Sequence, residues 1–172
     1  VAAVDLKLEK YHTKVPFAKE IANIASEQAA KKGFVRTVLG RRGRFPFWEP
    51  KYWDYKGNGK PEAYLRERAL EVYGPQIRRA QTHKALNKSL QGTNADEIKI
   101  ALVNIWEAGL LKDGSLNTLA ITVHDENNGS ADPGEAGQKF LSQVHEIMVN
   151  AIPLEVPVLV EGKTGRSWAE AK

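Results

Sequence analysis

Leu119-Ala120-Ile121-Thr122-Val123-His124-Asp125-Glu126 is the stretch on which the fold turns. Leu119, Ile121 and Val123 alternate with Ala120 and Thr122, the period-two pattern of a half-buried strand. Asn127-Asn128-Gly129-Ser130 follows, a turn composition. The pattern predicts Asp125 and Glu126 at the point where a buried strand meets a tight turn. Neighbouring carboxylates there cost free energy unless a cation or hydrogen-bond donors satisfy them. A solvated acidic turn is one reading. The other is a metal site, because magnesium and similar hard cations take carboxylate oxygens and commonly bind substrate phosphates as well.

Toward the C-terminus, Asp132-Pro133-Gly134-Glu135 predicts a helix start with a cap, an early proline and an acid in the first turn. Phe140, Val144, Ile147 and Met148 share its apolar face, His145 reads as a surface residue, and Pro153 ends it. Val156-Pro157-Val158-Leu159-Val160 reads as a strand with Pro157 at an edge or bulge. Trp168 is expected to fold back onto the body.

Toward the N-terminus, Ile98, Leu102, Ile105 and Trp106 form a helical stripe that runs toward Gly109. Gly92 is expected to break the chain before it, with Asn94–Glu97 or Thr93–Asp96 as a capping box. Asp113-Gly114-Ser115 reads as a turn. A second helix is predicted from about Gln76 to Gln91, unusually basic on its surface, and a third from Pro61 to Gly74. Residues 46–60 read as a long loop whose aromatics pin it to the body or stack on bases. Gly33 to Pro46 reads as a hairpin whose Arg36, Arg41, Arg42 and Arg44 are either solvated or set to hold phosphate. Phe17, Ile21, Ile24, Ala25 and Gln28 predict a helix to about Lys32, with Gly33 as its C-cap. Residues 1–12 read as a helical tail.

The chain has 172 residues, with 25 Lys+Arg against 21 Asp+Glu for a net charge of +4. That balance is compatible with nucleic acid and no more. There are no cysteines, which excludes disulfides and thiolate metal sites. No apolar run reaches membrane-spanning length and no signal-peptide pattern is present, so no membrane partner and a cytoplasmic location are expected. The sole methionine is Met148, so the chain beginning at Val1 is expected to be a processed or excised piece.

Three blocks occur in order: Ser89-Leu90-Gln91-Gly92-Thr93-Asn94-Ala95-Asp96, then Val123-His124-Asp125-Glu126, then Glu161-Gly162-Lys163-Thr164-Gly165-Arg166-Ser167-Trp168. Together they resemble the C-terminal palm region of family A DNA polymerases, the polymerase I group and its phage relatives. The closing block is nearer the phage branch. Gly33-Phe34-Val35-Arg36-Thr37-Val38-Leu39-Gly40-Arg41-Arg42 resembles a further stretch of that family, with Phe34 in the aromatic place.

The resemblance implies a DNA-directed DNA polymerase with a two-magnesium site. Asp125 would be a metal ligand, Glu126 accessory to it, and His124 near the primer terminus. Asn87 and Gln91 would hydrogen-bond in the minor groove of the primer–template. His83 stands where the bacterial branch often has arginine, and Arg78, Lys84, Arg41 and Arg42 would add phosphate contacts. The minor groove presents purine N3 and pyrimidine O2 acceptors at similar places in every correct pair, so side-chain amides can bind without reading sequence.

The family's earlier acidic motif has no counterpart here, nor has the fingers helix that binds the dNTP. The expectation is therefore a single partial domain over 1–172, needing a complementary N-terminal polymerase fragment. Helices near 17–32 and 98–110 should show apolar surface that such a fragment covers. The alternative function is a non-catalytic basic DNA-binding module of the same fold. The expected fold class is α+β. Its helices pack on a small antiparallel palm-type sheet built from strands near 118–124 and 156–161, with the helix at 133–150 covering its apolar face.

Overall fold

The structure is a computed structural model and describes residues 13–53, 59–111 and 114–171. The helical tail expected over 1–12 lies outside these residues, as do Tyr55 to Asn58 of the aromatic loop and Asp113 of the expected turn. The chain divides into two compact units, Val1–Thr93 and Asn94–Lys172.

In the first unit, helix α1 spans Pro16–Lys32 with proline in its first turn, where a missing N–H costs nothing. Lys31 and Lys32 sit in the last turn, and Gly33 closes it at φ +78°, its N–H donating to the Ala29 carbonyl. Strands β1 (Phe34–Arg36) and β2 (Arg42–Arg44) form the expected antiparallel hairpin, with Arg36 opposite Arg42. Ala29, Val35, Phe45 and Ala85 make the small core beneath it.

The residues from 46 to 79 differ from expectation. Part of the aromatic loop is strand β3 (Phe47–Pro50), the centre of a three-stranded antiparallel sheet. Tyr64–Leu65 is its neighbour β4 rather than the start of a helix, and helix α2 covers only Arg66–Tyr73. Ile77–Arg79, expected as helix, is the other neighbour, β5. The reason is cross-strand pairing. Arg78 stands opposite Glu49, and its Nε and Nη2 both lie 3.1 Å from the Glu49 Oε1. Glu49 is buried, so the pair stabilises the extended form over a surface helix.

Arg79 ties three segments together. Its Nε donates to the Ala30 carbonyl at 3.2 Å, its Nη1 to the Phe45 carbonyl at 3.0 Å, and its guanidinium lies 4.6 Å from the Trp48 ring centre. A Cβ at Gly33 would sit 2.8 Å from the Arg79 Cζ.

A 3₁₀ turn (Thr82–Lys84) leads into helix α3, Ala85–Glu107, which carries residues of both units. Gly92 does not break it, and the expected capping boxes at 93–97 are not formed because those residues are helix interior. Gly92 is there for close approach. A Cβ on it would stand 2.7 Å from the Thr37 Cγ2 of the hairpin loop.

In the second unit, β6 (Thr118–Val123) pairs antiparallel with β7 (Glu126–Ser130). The residues read as a turn are thus the return strand, and the turn itself is His124–Asp125. Gly129 is needed because a Cβ would run into the Thr118 backbone carbonyl opposite. A register shift lies between Leu119 and Ile121. Such a shift turns following side chains to the other face. Leu119 accordingly packs in the core, while Ile121 is 60% exposed.

Helix α4 (Glu135–Val149) buries Phe140 and Val144 against Ile105 of α3, with Leu119, Ile147 and Met148 around them. The helix thus meets β6 at Leu119. Its N-cap is Gly134; Asp132 instead accepts the Gly134 N–H at 2.7 Å in a turn before the helix. Residues 156–161 are not a strand, so the sheet of this unit is the β6–β7 hairpin. That segment meets α4 through His145, whose Nε2 lies 3.0 Å from the Val160 carbonyl. Trp168 is 63% exposed. Among the described residues no helix is long and apolar enough to cross a membrane.

Candidate nucleic-acid interface

The polar side of α3 in the first unit faces a cleft of about 330 Å³. Phe45, Pro46, Phe47 and Ala80 form its apolar walls, and Lys84, Asn87, Lys88 and Gln91 its polar ones. The helix places 87, 88 and 91 together at three- and four-residue steps on one face, and the 3₁₀ turn brings Lys84 beside them. Three of the residues expected from sequence to meet a duplex, Lys84, Asn87 and Gln91, thus stand in one place. Among the described residues, Lys84, Asn87 and Gln91 spend no side-chain hydrogen bond within the protein, leaving amides and an ammonium open to an incoming partner. Lys88 is more committed. Its stem passes over Gly43, its Nζ donates to the Arg44 carbonyl at 2.7 Å, and it lies 4.8 Å from the Phe45 ring centre.

His83 is exposed in the 3₁₀ turn just before this face. Arg78 lies outside it. The Glu49 pair holds its guanidinium, although half of the side chain remains exposed. Lys60 adds a longer contact to the same carboxylate at 3.9 Å. Sequence alone offered no sign that Glu49 would claim Arg78.

The hairpin carries the second set of cations. Arg36 and Arg42 face each other across the strands, an arrangement that is destabilising unless something shares their charge. The Phe34 ring does so in part, with the two guanidinium carbons 5.6 and 4.7 Å from its centre. Among the described residues no carboxylate pairs with Arg36, Arg42 or Arg44. Arg41 is partly engaged, its Nη2 donating to the Gly92 carbonyl at 2.8 Å. Arg36, whose Nη1 also donates to the Gly40 carbonyl at 2.9 Å, and Arg42 keep guanidinium edges suited to phosphate oxygens.

The acidic site of the second unit is the β6–β7 tip. His124 occupies the left-handed region at φ +54°, uncommon for a residue with a side chain. It turns the backbone so that Asp125 follows in the tip and Glu126 opens β7 opposite Val123. All three are exposed. The carboxylate oxygens of Asp125 and Glu126 are hard donors of the kind magnesium takes, so these two residues fit part of a coordination sphere. Among the described residues no cluster of three or more potential ligands forms around them.

Comparison with known proteins identifies the family. Residues 3–170 match the model of DNA polymerase family A. A DNA-directed DNA polymerase of Pseudomonas phage M6 is 30% identical over 164 residues, 95% of this chain and 19% of the phage protein. DNA polymerase I of Mycobacterium leprae is 34% identical over 167 residues, 96% of this chain and 16% of that protein. These two identities do not separate a phage from a bacterial branch. Among solved structures, the POL domain of Pol1 from M. smegmatis, in complex with DNA primer-template and dNTP, superposes with a TM-score of 0.69 at 30% identity. The match covers 99% of this chain and 26% of that one. The chain therefore spans under a fifth of the length of the curated relatives above, at 19% and 16%. With 168 consecutive residues inside the family model, the chain belongs to DNA polymerase family A.

Proposed function

We propose that this chain is a partial polymerase domain that supplies a DNA-directed DNA polymerase with its primer–template grip and one carboxylate pair of its metal site. The observation that carries the reading is the cleft that Asn87, Lys88 and Gln91 of α3 line together with Lys84 of the preceding 3₁₀ turn. The similar Pol1 structure, which holds primer-template and dNTP, supports it. Amides at Asn87 and Gln91 would donate to minor-groove acceptors common to all correct pairs, as replication of any sequence requires. Lys84, Lys88, Arg41 and Arg42 would hold phosphates on either side.

Asp125 would hold magnesium, with Glu126 beside it and His124 near the primer end. Bound magnesium would supply the charge neutralisation that phosphoryl transfer requires. This chain's part is to present the two carboxylates at an exposed hairpin tip. A second carboxylate motif and a dNTP-binding lysine would come from a complementary polymerase polypeptide, joined or separate. Exposed Ile21 and Ile24, which line a groove of about 530 Å³ with Phe34 and Leu86, are consistent with such a neighbour. Val103 and Trp106 are exposed on α3 as well. The reading places the activity in a cytoplasm, the host's if the protein is phage-encoded.

Primer extension tests this. The chain alone should be inactive. A mixture with a polypeptide carrying the missing motifs should extend a primer with magnesium and all four nucleotides. Extension by the purified chain alone would show that the metal-holding residues have been misassigned. Duplex binding with no restored activity in the mixture would favour the non-catalytic DNA-binding module.

A further inference from the structure

The β1–β2 hairpin does not merely lie beside α3; it is fastened to one turn of it. The Val38 N–H donates to the Thr93 Oγ1 at 3.1 Å, and that hydroxyl donates to the Ser89 carbonyl at 3.0 Å. The Ser89 hydroxyl donates to the Arg36 carbonyl at 2.6 Å, and Arg41 reaches the Gly92 carbonyl. Thr93 is buried, and its hydroxyl is used as both acceptor and donor. Gly92 allows the contact, since a Cβ would be 2.7 Å from the Thr37 Cγ2. The fastening falls directly beside Gln91. It thus couples the cations of the hairpin to the amides of the helix.

We infer that Gly92 and Thr93 are positioning residues. They lock the arginine hairpin to α3 so that its phosphate-facing guanidiniums and the amides of Asn87 and Gln91 meet a duplex as one rigid surface. The inference rests on the DNA-gripping function proposed above. A lock is needed because the two sets of contacts reach different parts of the duplex. Phosphate contacts fix register, and groove contacts are satisfied only in the right register. Separate motion of hairpin and helix would let the groove contacts form while the hairpin cations lose their phosphates.

The test uses the 172-residue chain and a mixed-sequence primer–template duplex, with affinity followed across a salt series. Thr93→Val keeps the shape and removes the hydroxyl; Thr93→Ser keeps the hydroxyl. Gly92→Ala adds the clashing Cβ, and Thr37→Ser removes the methyl group it would strike. Thr93→Val and Gly92→Ala should bind about tenfold more weakly at low salt, with the log–log slope smaller by about 0.9 for each phosphate contact released. Thr93→Ser should behave as the wild type, and Gly92→Ala with Thr37→Ser should regain both affinity and slope. If Gly92→Ala does not fold, the Thr93 pair decides alone. Folded variants with wild-type slope overturn the inference, even if they melt earlier, and so does a Gly92→Ala that Thr37→Ser fails to rescue. A wild-type chain with no salt-dependent binding overturns the DNA-gripping function itself, and this inference with it.

Discussion

The two hairpins that carry the charged groups are held in opposite ways. The basic hairpin β1–β2 is fastened to α3 by four hydrogen bonds, from Val38, Ser89, Arg41 and Lys88, and by the close approach at Gly92. The acidic hairpin β6–β7 rests on its unit through Leu119, the Asn127 contact to Met148 and the bond from the Asp132 N–H to Asn117, while its tip is exposed. A cation surface that must match the spacing of phosphates gains from rigid attachment. A carboxylate tip needs only its own turn to be fixed, because the remaining ligands and the ions complete the geometry. On the proposed reading, the basic site is nearly finished within this chain and the acidic site awaits ligands from elsewhere.

The largest effect that would separate the two hairpins is on turnover. In an assembled enzyme, Asp125→Ala should lower primer extension by more than about a hundredfold, since losing even a residue that only supports a metal ligand costs 10- to 100-fold. Its duplex affinity should stay near that of the wild type. Retained extension would remove Asp125 from the chemistry, and lost affinity would make the acidic tip part of the grip.

Next in size is the support beneath the acidic hairpin. Phe140 is 4% exposed in the core of the second unit, and Phe140→Ala should cost about 3–5 kcal/mol by denaturant unfolding. A loss below about 1 kcal/mol would mean that this core collapses around the gap.

Smaller again is Arg78→Met in the first unit. It leaves the 7% exposed Glu49 side chain with only the distant Lys60. Breaking a fully buried pair costs about 3–5 kcal/mol, and the half exposure of Arg78 reduces that to roughly 1–2 kcal/mol. The salt slope of duplex binding should barely change. A slope that falls by about 0.9 would return Arg78 to the phosphate contacts.

The smallest effect is a pH dependence in α3. Burial raises the Glu97 carboxyl above its ordinary value of 4.5. The folded state therefore favours the protonated form. The stability this gives is complete below 4.5 and is lost as pH rises through the higher folded value. Glu97→Gln should flatten the melting temperature across that window. An unchanged pH profile would show that Glu97 is well solvated.

The elements readable from sequence were those with a local cause. Proline at the start of α1, two lysines and Gly33 at its end, and the spacing of Phe140 and Val144 in α4 each act within a few residues. The elements that could not be read had a distant cause. Ile77–Arg79 is a strand because Glu49 and Trp48 pair with it from far along the chain. Gly92 and Gly129 looked like breakers because glycine carries no local mark of a close approach. Each instead sits where another backbone or side chain comes too near for a Cβ. In the site, Asn87 and Gln91 followed from the family resemblance, whereas the capture of Arg78 by Glu49 had no mark in the sequence.

Arg79 has a consequence in time rather than in space. Its bonds to the Ala30 and Phe45 carbonyls close separations of 49 and 34 residues, and its ring contact joins β3 to β5. Contacts across such long loops are entropically dear to form and are expected after the rate-limiting step. Loss of the guanidinium should then leave the refolding rate almost unchanged and speed unfolding. Arg79 would act as a late latch, one that governs how long the first unit stays closed once it has folded.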